Sequence, residues 1–379
     1  MRDGRVTILV TGANGTLGSA MVREIVKSPS YSSSYYGLYT VRDLSSASSL
    51  RTSLARGSNS SQHDSDVIPL DLSRLASVRE AAADINSRVS SGAIPPIRAL
   101  ILNAGFQENF TQSSTGDGFD MTFQVNYLGH FLLALLLLGS MDKKEGRILY
   151  ISSWTHDPDD TRNYVGPGAV LFPKQYLPIF RDGIDPVARG TWSTPAEDPS
   201  PLSGIRRYGA SKLCLILIML AILPRISPTK CVQMCLPPFP FYPRHELQLR
   251  LDRDPGLASI RILGLDPGGM PSDILRRASF MQRVVVNKIA GNLLAPIMTW
   301  LSPNGILRTP AKSANDGLSA VFGDVATLSS SPRPLYLNGS EVTTPSKDAT
   351  DPRNAALLWG RSLAYAAVKE GETSLADWQ

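Results

Sequence analysis

Cysteine and histidine are scarce in this chain. The three cysteines (Cys214, Cys231, Cys235) cannot build a disulfide framework, and four scattered histidines do not complete a metal site with them. A reducing, cytoplasmic setting without a bound metal is therefore expected. Charge is also sparse. Charged residues make up 19% of 379, and 38 Lys and Arg against 33 Asp and Glu is a mild excess. No stretch is basic enough to serve as a phosphate footprint, which argues against nucleic acid as a partner. Long apolar runs are missing as well. Phe131–Leu138 and Leu213–Leu223 fall short of the roughly 18 residues that span a bilayer, so both read as buried helices. Val6–Val10 is too short for a signal-peptide core. The stretch Val284–Leu301 is longer, but Asn287, Lys288 and Asn292 interrupt it. It reads as a substrate-side flap or as a membrane-surface helix, so no membrane span is expected while peripheral association stays open.

What is present is an alternation of short apolar strands and amphipathic helices. Strands are expected at Arg5–Val10, Tyr36–Val41, Val67–Leu70, Ile97–Leu102, Arg147–Ile151 and Ser259–Leu265. Helices are expected at Leu17–Lys27, Arg74–Val89, Gly118–Ser140 and Tyr208–Leu223, with Ser45–Ser61 a loose helix or loop and the tail mostly helical. Alternation of this kind predicts an α/β fold, a doubly wound parallel sheet with helices on both faces. Near-continuous apolar strands fit burial on both sides. Two irregular insertions break the pattern, at about 154–206 and 221–244, the second with six prolines between Pro224 and Pro243. Proline-dense sequence cannot continue a helix. That segment is either a loop or translated intron. The whole reads as one domain over 1–379, with a substrate-side segment at about 270–325.

The first chemical motif is TGANGTLG, Thr11 to Gly18, between a strand and a helix. Thr11, Gly12, Asn14, Gly15, Leu17 and Gly18 are its candidate contacts to a dinucleotide. Glycine lets the backbone approach a pyrophosphate, and the helix start offers free N–H groups. The second strand should end at the adenosine ribose, where an acid selects a 2′-hydroxyl and an arginine a 2′-phosphate. Arg42 precedes Asp43 there, which favours NADP(H) over NAD. Asp71 and Leu72 end the third strand, where a carboxylate can accept from the adenine amino group or serve the start of the next helix.

Further along the chain come Asn103-Ala104-Gly105, Asn126 in FQVNYLGHFLL, Ser152-Ser153 in RILYISS, Tyr208-Gly-Ala-Ser-Lys212, and Pro267-Gly268 with Ser272 behind it. In this order, on these elements, the set resembles the short-chain dehydrogenase/reductase family, with its Rossmann-like fold. The tail AALLWGRSLAYA is similar to the retinol-dehydrogenase and keto-sterol-reductase branch. ISSWTHDPDD and RRYGASKL are similar to fungal members, many of which act in secondary metabolism.

The residues themselves suit carbonyl chemistry. Tyrosine, with a pKa of about 10, needs a nearby cation to work as an acid–base group at neutral pH. Lys212, four residues from Tyr208, would lie about 40° from it around a helix. The resemblance implies more: Lys212 and Tyr208 on the nicotinamide ribose, Ser153 (or Ser152) on the substrate oxygen, and Asn126 holding a water that links Lys212 to solvent. It also places Asn103, Ala104, Gly105, Pro267, Gly268 and Ser272 along the cofactor. Two features depart from the family pattern. The glycines at 12, 15 and 18 have the middle one a place early, as in the extended branch, although Asn103-Ala104-Gly105 belongs to the main branch. Ser153 and Tyr208 are also far apart, and the insertion between them holds Trp154, Tyr164, Phe172, Tyr176, Phe180 and Trp192. These aromatics either line a pocket for a bulky apolar substrate or pack a surface excursion.

The expected function is NADP-dependent interconversion of a ketone or aldehyde and an alcohol on a small, fairly apolar molecule, a fungal polyketide or terpenoid. The alternatives are a keto-sterol reductase of primary metabolism and a non-catalytic NADP-sensing protein. A homo-oligomer stays open.

Overall fold

The computed structural model describes residues 5–55, 63–166, 170–219, 247–272, 291–323 and 335–379. Its centre is one eight-stranded sheet: β1 (Val6–Val10), β2 (Tyr35–Val41), β3 (Ser65–Pro69), β4 (Ile97–Leu102), β5 (Arg147–Ile151), β6 (Arg261–Asp266), β7 (Leu335–Asn338) and β8 (Glu341–Thr343). The order is β3-β2-β1-β4-β5-β6-β7-β8, and every pairing is parallel except β7 with β8. Strands β4 and β5 are buried throughout, because helices cover both sheet faces.

On one face, α1 (Thr16–Lys27), α3 (Ser48–Ala55) and α10 (Pro310–Phe322) pack on the alternate side chains of the central strands, Ile8, Val10, Ile101 and Leu149 among them. The short α2 (Pro29–Ser34) leads into β2. On the other face lie α4 (Leu75–Ser90), α5 (Met121–Ser140), α7 (Leu202–Met219), α8 (Leu247–Arg253) and α11 (Pro352–Tyr365), against Leu9, Leu100, Leu102 and Ile148. Helix α5 is long and apolar enough to cross a membrane, but 89% of its apolar window is buried inside the fold, so it is a core helix. Its first part is a π-turn, Gln124–Leu128.

The structure corrects several sequence expectations. Helix α7 begins at Leu202, so Tyr208 lies well inside it rather than opening it. Ser200 accepts the Leu202 N–H through its hydroxyl, and Pro201 accepts from the Ile205 N–H, which together start the helix upstream. The tail is not helical throughout: among its described residues, β7 and β8 form a hairpin between the helices. Its signal was present as LYLNGSEVT, two apolar stretches flanking Asn338-Gly339, and Gly339 sits at φ +63°.

The first insertion forms short 3₁₀ turns and α6 (Asp185–Arg189). Most of its aromatics pack inward or on one another. Phe172, Tyr176 and Phe180 are buried, Trp192 meets Tyr176 edge-on, and Tyr164 stands exposed. Two arginines in α7 hold the insertion down. Arg206 lies over the Tyr176 ring, donates to Ser193 and Leu171 O, and pairs with Asp198 at 2.6 Å. Arg207 donates to Ser193 O and Thr111 O. The second insertion, with Cys231 and Cys235, lies outside the described residues.

Within Val284–Leu301 the described part is α9 (Gly291–Leu301). Leu293, Leu294, Ile297, Trp300 and Leu301 form an exposed apolar stripe on it, with Trp300 80% exposed. Gly291 and Ala295 face inward. This is a surface helix with its apolar side outward.

Candidate active site

The strand order reverses direction between β1 and β4, and a cleft of about 930 Å³ opens at the carboxyl ends of these strands. Its floor is the Gly-rich turn. Gly12 sits at φ +64°, and a Cβ there would stand 2.8 Å from the Ala104 backbone, so only glycine lets the turn lie against the β4 loop. Gly15 caps α1, and Thr16, which stands where the family's middle glycine is expected, is the first residue of that helix on the cleft wall. The amino end of α1 therefore faces the cleft, as suits an anion.

The other predicted loop residues divide into wall and support. Asn14, Leu17, Asn103, Ala104 and Gly105 line the cleft. Asn14 also braces the loop, donating to Ser46 O and accepting from Leu50 N–H. Thr11 is fully buried beneath the turn, where its hydroxyl accepts from the N–H groups of Asn103 and Ala104. Gly18 is packed behind the turn, a hypothetical Cβ lying 2.5 Å from Gly12 O. Thr11 and Gly18 shape the loop without reaching the cleft. Arg42 and Asp43 follow β2 at the cleft edge, both exposed. The Asp43 carboxylate accepts from the Ser45 N–H and hydroxyl, which holds it below the usual carboxylate range. Asp71 accepts from the Ser73 N–H and hydroxyl in the turn before α4, with Leu72 beside it on the wall.

The predicted catalytic residues converge. Ser153 lies two residues past the end of β5, while Tyr208 and Lys212 share one face of α7, the Lys212 Nζ 5.5 Å from the Tyr208 ring centre. Lys212 donates to Ile151 O at 2.8 Å, and burial pushes its ammonium down to about 7. Desolvation raises the Tyr208 phenol above its ordinary range, the Asp266 charge adds to this, and a hydrogen bond with Ser153 draws it back. Of the two serines, Ser153 is the one whose side chain lies close enough to lower the Tyr208 phenol. Asn126 is buried in the π-turn of α5. Its amide accepts from Phe106 N–H and donates to Phe106 O and to the Ser211 hydroxyl. These bonds brace the loop after β4 against α7 and leave one lone pair of the amide oxygen for the water expected there. Pro267, Gly268 and Ser272 line the far wall with Met270.

The sequence reading missed three neighbours. Asp266 is buried directly before Pro267. Arg162 in the first insertion lies 2.9 Å from its carboxylate. His130, fully buried, links Thr11 to the π-turn: Thr11 Oγ1 is 3.0 Å from Nε2, and Nδ1 donates to Asn126 O. Asp266 adjoined a motif already singled out, and His130 stands four residues after Asn126 on the same helix face. Arg162 had no local signal. Among the six insertion aromatics, Trp154 alone lines the cleft.

A short chain dehydrogenase family model matches residues 6–158. The short-chain dehydrogenase iccH of Talaromyces variabilis is 43% identical over 98% of this chain and 99% of its own. The chain belongs to the short-chain dehydrogenase family. Protochlorophyllide reductase B of rice (Oryza sativa subsp. japonica) is 30% identical over 56% of this chain, which matches about half (49%) of that protein. Among solved structures, NADPH-bound carbonyl reductase from chicken fatty liver covers 90% of this dehydrogenase and 99% of itself at 16% identity and a TM-score of 0.51, a likeness of fold.

A dehydrogenase of this family uses a nicotinamide cofactor, and the site fits one: the turn is a cradle that a Cβ at Gly12 would fill, and the start of α1 faces it. The residues that would hold it are Gly12, Asn14, Gly15, Thr16, Asn103, Gly105, Lys212 and Gly268. When bound, the nicotinamide supplies or accepts the hydride. Ser153 and Tyr208 would hydrogen-bond a substrate oxygen there, Tyr208 would give it a proton or take one, and Lys212 would be the cation that favours the phenolate.

Proposed function

We propose that this chain is an NADP(H)-dependent oxidoreductase that interconverts a ketone or aldehyde and an alcohol on a small, fairly apolar molecule of fungal secondary metabolism, a polyketide or terpenoid. The reading takes residues 1–379 as one cofactor-binding domain working in the cytoplasm. The observation that carries it is the meeting of Ser153, Tyr208 and Lys212 at the mouth of a nucleotide-shaped cleft. The preference for NADP(H) rests on β2: the Asp43 carboxylate is engaged with Ser45, while the Arg42 guanidinium is exposed at the cleft edge. An apolar substrate suits walls that include Phe106, Met121, Val125, Trp154, Ile205 and Met270. The fungal context rests on the Talaromyces relative.

Thermal-shift titration with NADPH and NADH in parallel tests the cofactor. A ligand at 100 times its Kd stabilises by about 2.7 kcal/mol. NADPH is expected to give the larger shift, and Arg42→Ala to weaken NADPH by about tenfold or more, the worth of a hydrogen bond to a charged group, with little change for NADH. Equal shifts would remove the 2′-phosphate assignment. No shift with either cofactor would withdraw the enzyme reading.

One observation favours a second reading, a keto-sterol reductase that works at a membrane surface: the exposed apolar stripe of α9. A helix with Trp and Leu facing outward can lie in the interfacial plane. Cosedimentation with phosphatidylcholine–phosphatidylserine vesicles is expected to pellet the protein, and the double variant Leu293→Ser/Trp300→Ser to stay in the supernatant. Wild-type protein that stays in the supernatant removes this reading.

A further inference from the structure

The first insertion does more than cover the edge of α7. We propose that it delivers Arg162 as a counter-charge of Asp266, a positioning residue that offsets negative charge in the wall beside Tyr208 and fixes the Pro267-Gly268 turn. This rests on the reading of Tyr208 as the acid–base group.

Asp266 is the last residue of β6, fully buried, and part of the cleft wall. Its Oδ1 accepts the Gly268 N–H at 3.0 Å, and its Oδ2 lies 2.9 Å from Arg162 Nη1. A carboxylate buried without a partner is costly, and one close to a phenol opposes its ionisation. Of the other groups around it, Arg308 adds a cation that Asp266 feels, but its guanidinium is engaged elsewhere than on the carboxylate. Arg308 turns its guanidinium to the carbonyls of Asp266, Asn304 and Gly305 and to the Asn338 side chain. His156 is neutral: Nδ1 donates to Ser153 O, and Nε2 accepts the Ser346 N–H. Burial keeps the Tyr336 phenol protonated. Lys212 is turned to Ile151 O.

Arg162 is itself held in place. The 3₁₀ turn Thr161–Asn163 is capped by Asp160, whose carboxylate grips the guanidinium at 2.7 Å, and the guanidinium lies 5.1 Å from the Trp154 ring centre. It therefore touches both sides of the reacting centre, Trp154 next to Ser153 and Asp266 next to Pro267-Gly268. A fold that needs only β5 and α7 to present Ser153 and Tyr208 acquires through the insertion a control on the charge between them.

The test is the titration of Tyr208 in protein labelled with ¹³Cζ-tyrosine and saturated with NADP⁺, the resonance assigned by its loss in Tyr208→Phe. Arg162→Gln is expected to raise the Tyr208 midpoint by on the order of one pH unit. Arg162→Lys should restore most of the wild-type midpoint, and Arg162→Gln/Asp266→Asn should bring it back to wild type or below. If Arg162→Gln does not fold, Asp266→Asn alone carries the test, with a lowered midpoint expected. The same midpoint in wild type, Arg162→Gln and Asp266→Asn would overturn the proposal, as would a wild-type Tyr208 that does not titrate below pH 11. The readout needs no substrate. Shifted midpoints without turnover of any carbonyl probe would therefore sink the functional reading and leave the Arg162–Asp266 assignment standing.

Discussion

Tyr208→Phe is expected to lower kcat for carbonyl reduction by about 10²–10⁴, the usual contribution of a positioned acid–base group, and to leave NADPH binding within about twofold of wild type. The substitution removes one hydroxyl. The ring remains packed in α7 beside Lys212, and Lys212 keeps its hydrogen bond to Ile151 O. The phosphate cradle lies at the amino end of α1, on elements the change does not touch. Loss of kcat with retained binding is the signature of a group that acts on the transition state. Stopped-flow reduction of an apolar ketone panel, with cofactor binding followed by NADPH fluorescence, reads both quantities. Turnover unchanged in the variant would take the acid–base role from Tyr208, and no turnover in the wild type would reduce the chain to a cofactor-sensing protein, which needs the nucleotide loop and nothing at Tyr208.

The second large effect concerns stability. Burial pushes His130 down to about 3, with the Lys212 charge adding to it, and burial pushes His156 down to about 4. Both are depressed from an unfolded value of 6.5, so between pH 6.5 and 4 the unfolded chain binds protons that the folded chain refuses. Stability is then complete above pH 6.5 and falls as pH drops through this window, at about 1.4 kcal/mol per unit and per histidine. At pH 5 the two together cost about 4 kcal/mol relative to pH 7.5, a large part of an ordinary 5–15 kcal/mol. The buried carboxyls of Asp120 and Asp157 are raised, which has the opposite sign, but carboxyls take up their protons mainly lower in the range. Urea unfolding at pH 7.5, 6 and 5 measures the slope, and His130→Gln is expected to remove about half of it. A flat profile over that range would mean that both imidazoles are charged in the fold.

The nucleotide half of the site was legible because its physics is local. A strand, a turn rich in glycine and a helix are adjacent in sequence, so Gly12 and Gly15 could be placed before any long-range contact was known. Tyr208 and Lys212 were legible for the same reason, being one helical turn apart. The partners that complete the site are not local. Arg162 reaches Asp266 across 104 residues of chain, and nothing in either neighbourhood announces the pairing. Asn126 was identified as a residue while its bonds to Phe106 and Ser211 were not, because the π-turn that turns its amide toward them leaves no trace in apolar spacing. The insertion aromatics were undecidable from composition alone. Trp154 faces the cleft since it directly follows Ser153; Phe172, Tyr176, Phe180 and Trp192 are drawn inward by Arg206 and by the core, and Tyr164 is left exposed. The tail misled because the helical run of α11 dominates it, whereas β7 offers only four residues.

Each end of the sheet is a poor template for further pairing. At one edge β3 is five residues long, carries Asp66 and stops at Pro69, which has no N–H to donate. At the other, β8 is three exposed residues beginning with Glu341 and running against its neighbour. A broad, largely parallel sheet assembles from distant segments and so folds slowly, exposing strands in the interval. Short, charged or proline-ended edges limit the aggregation this invites. They also turn the association of folded copies away from strand addition and toward the helical faces.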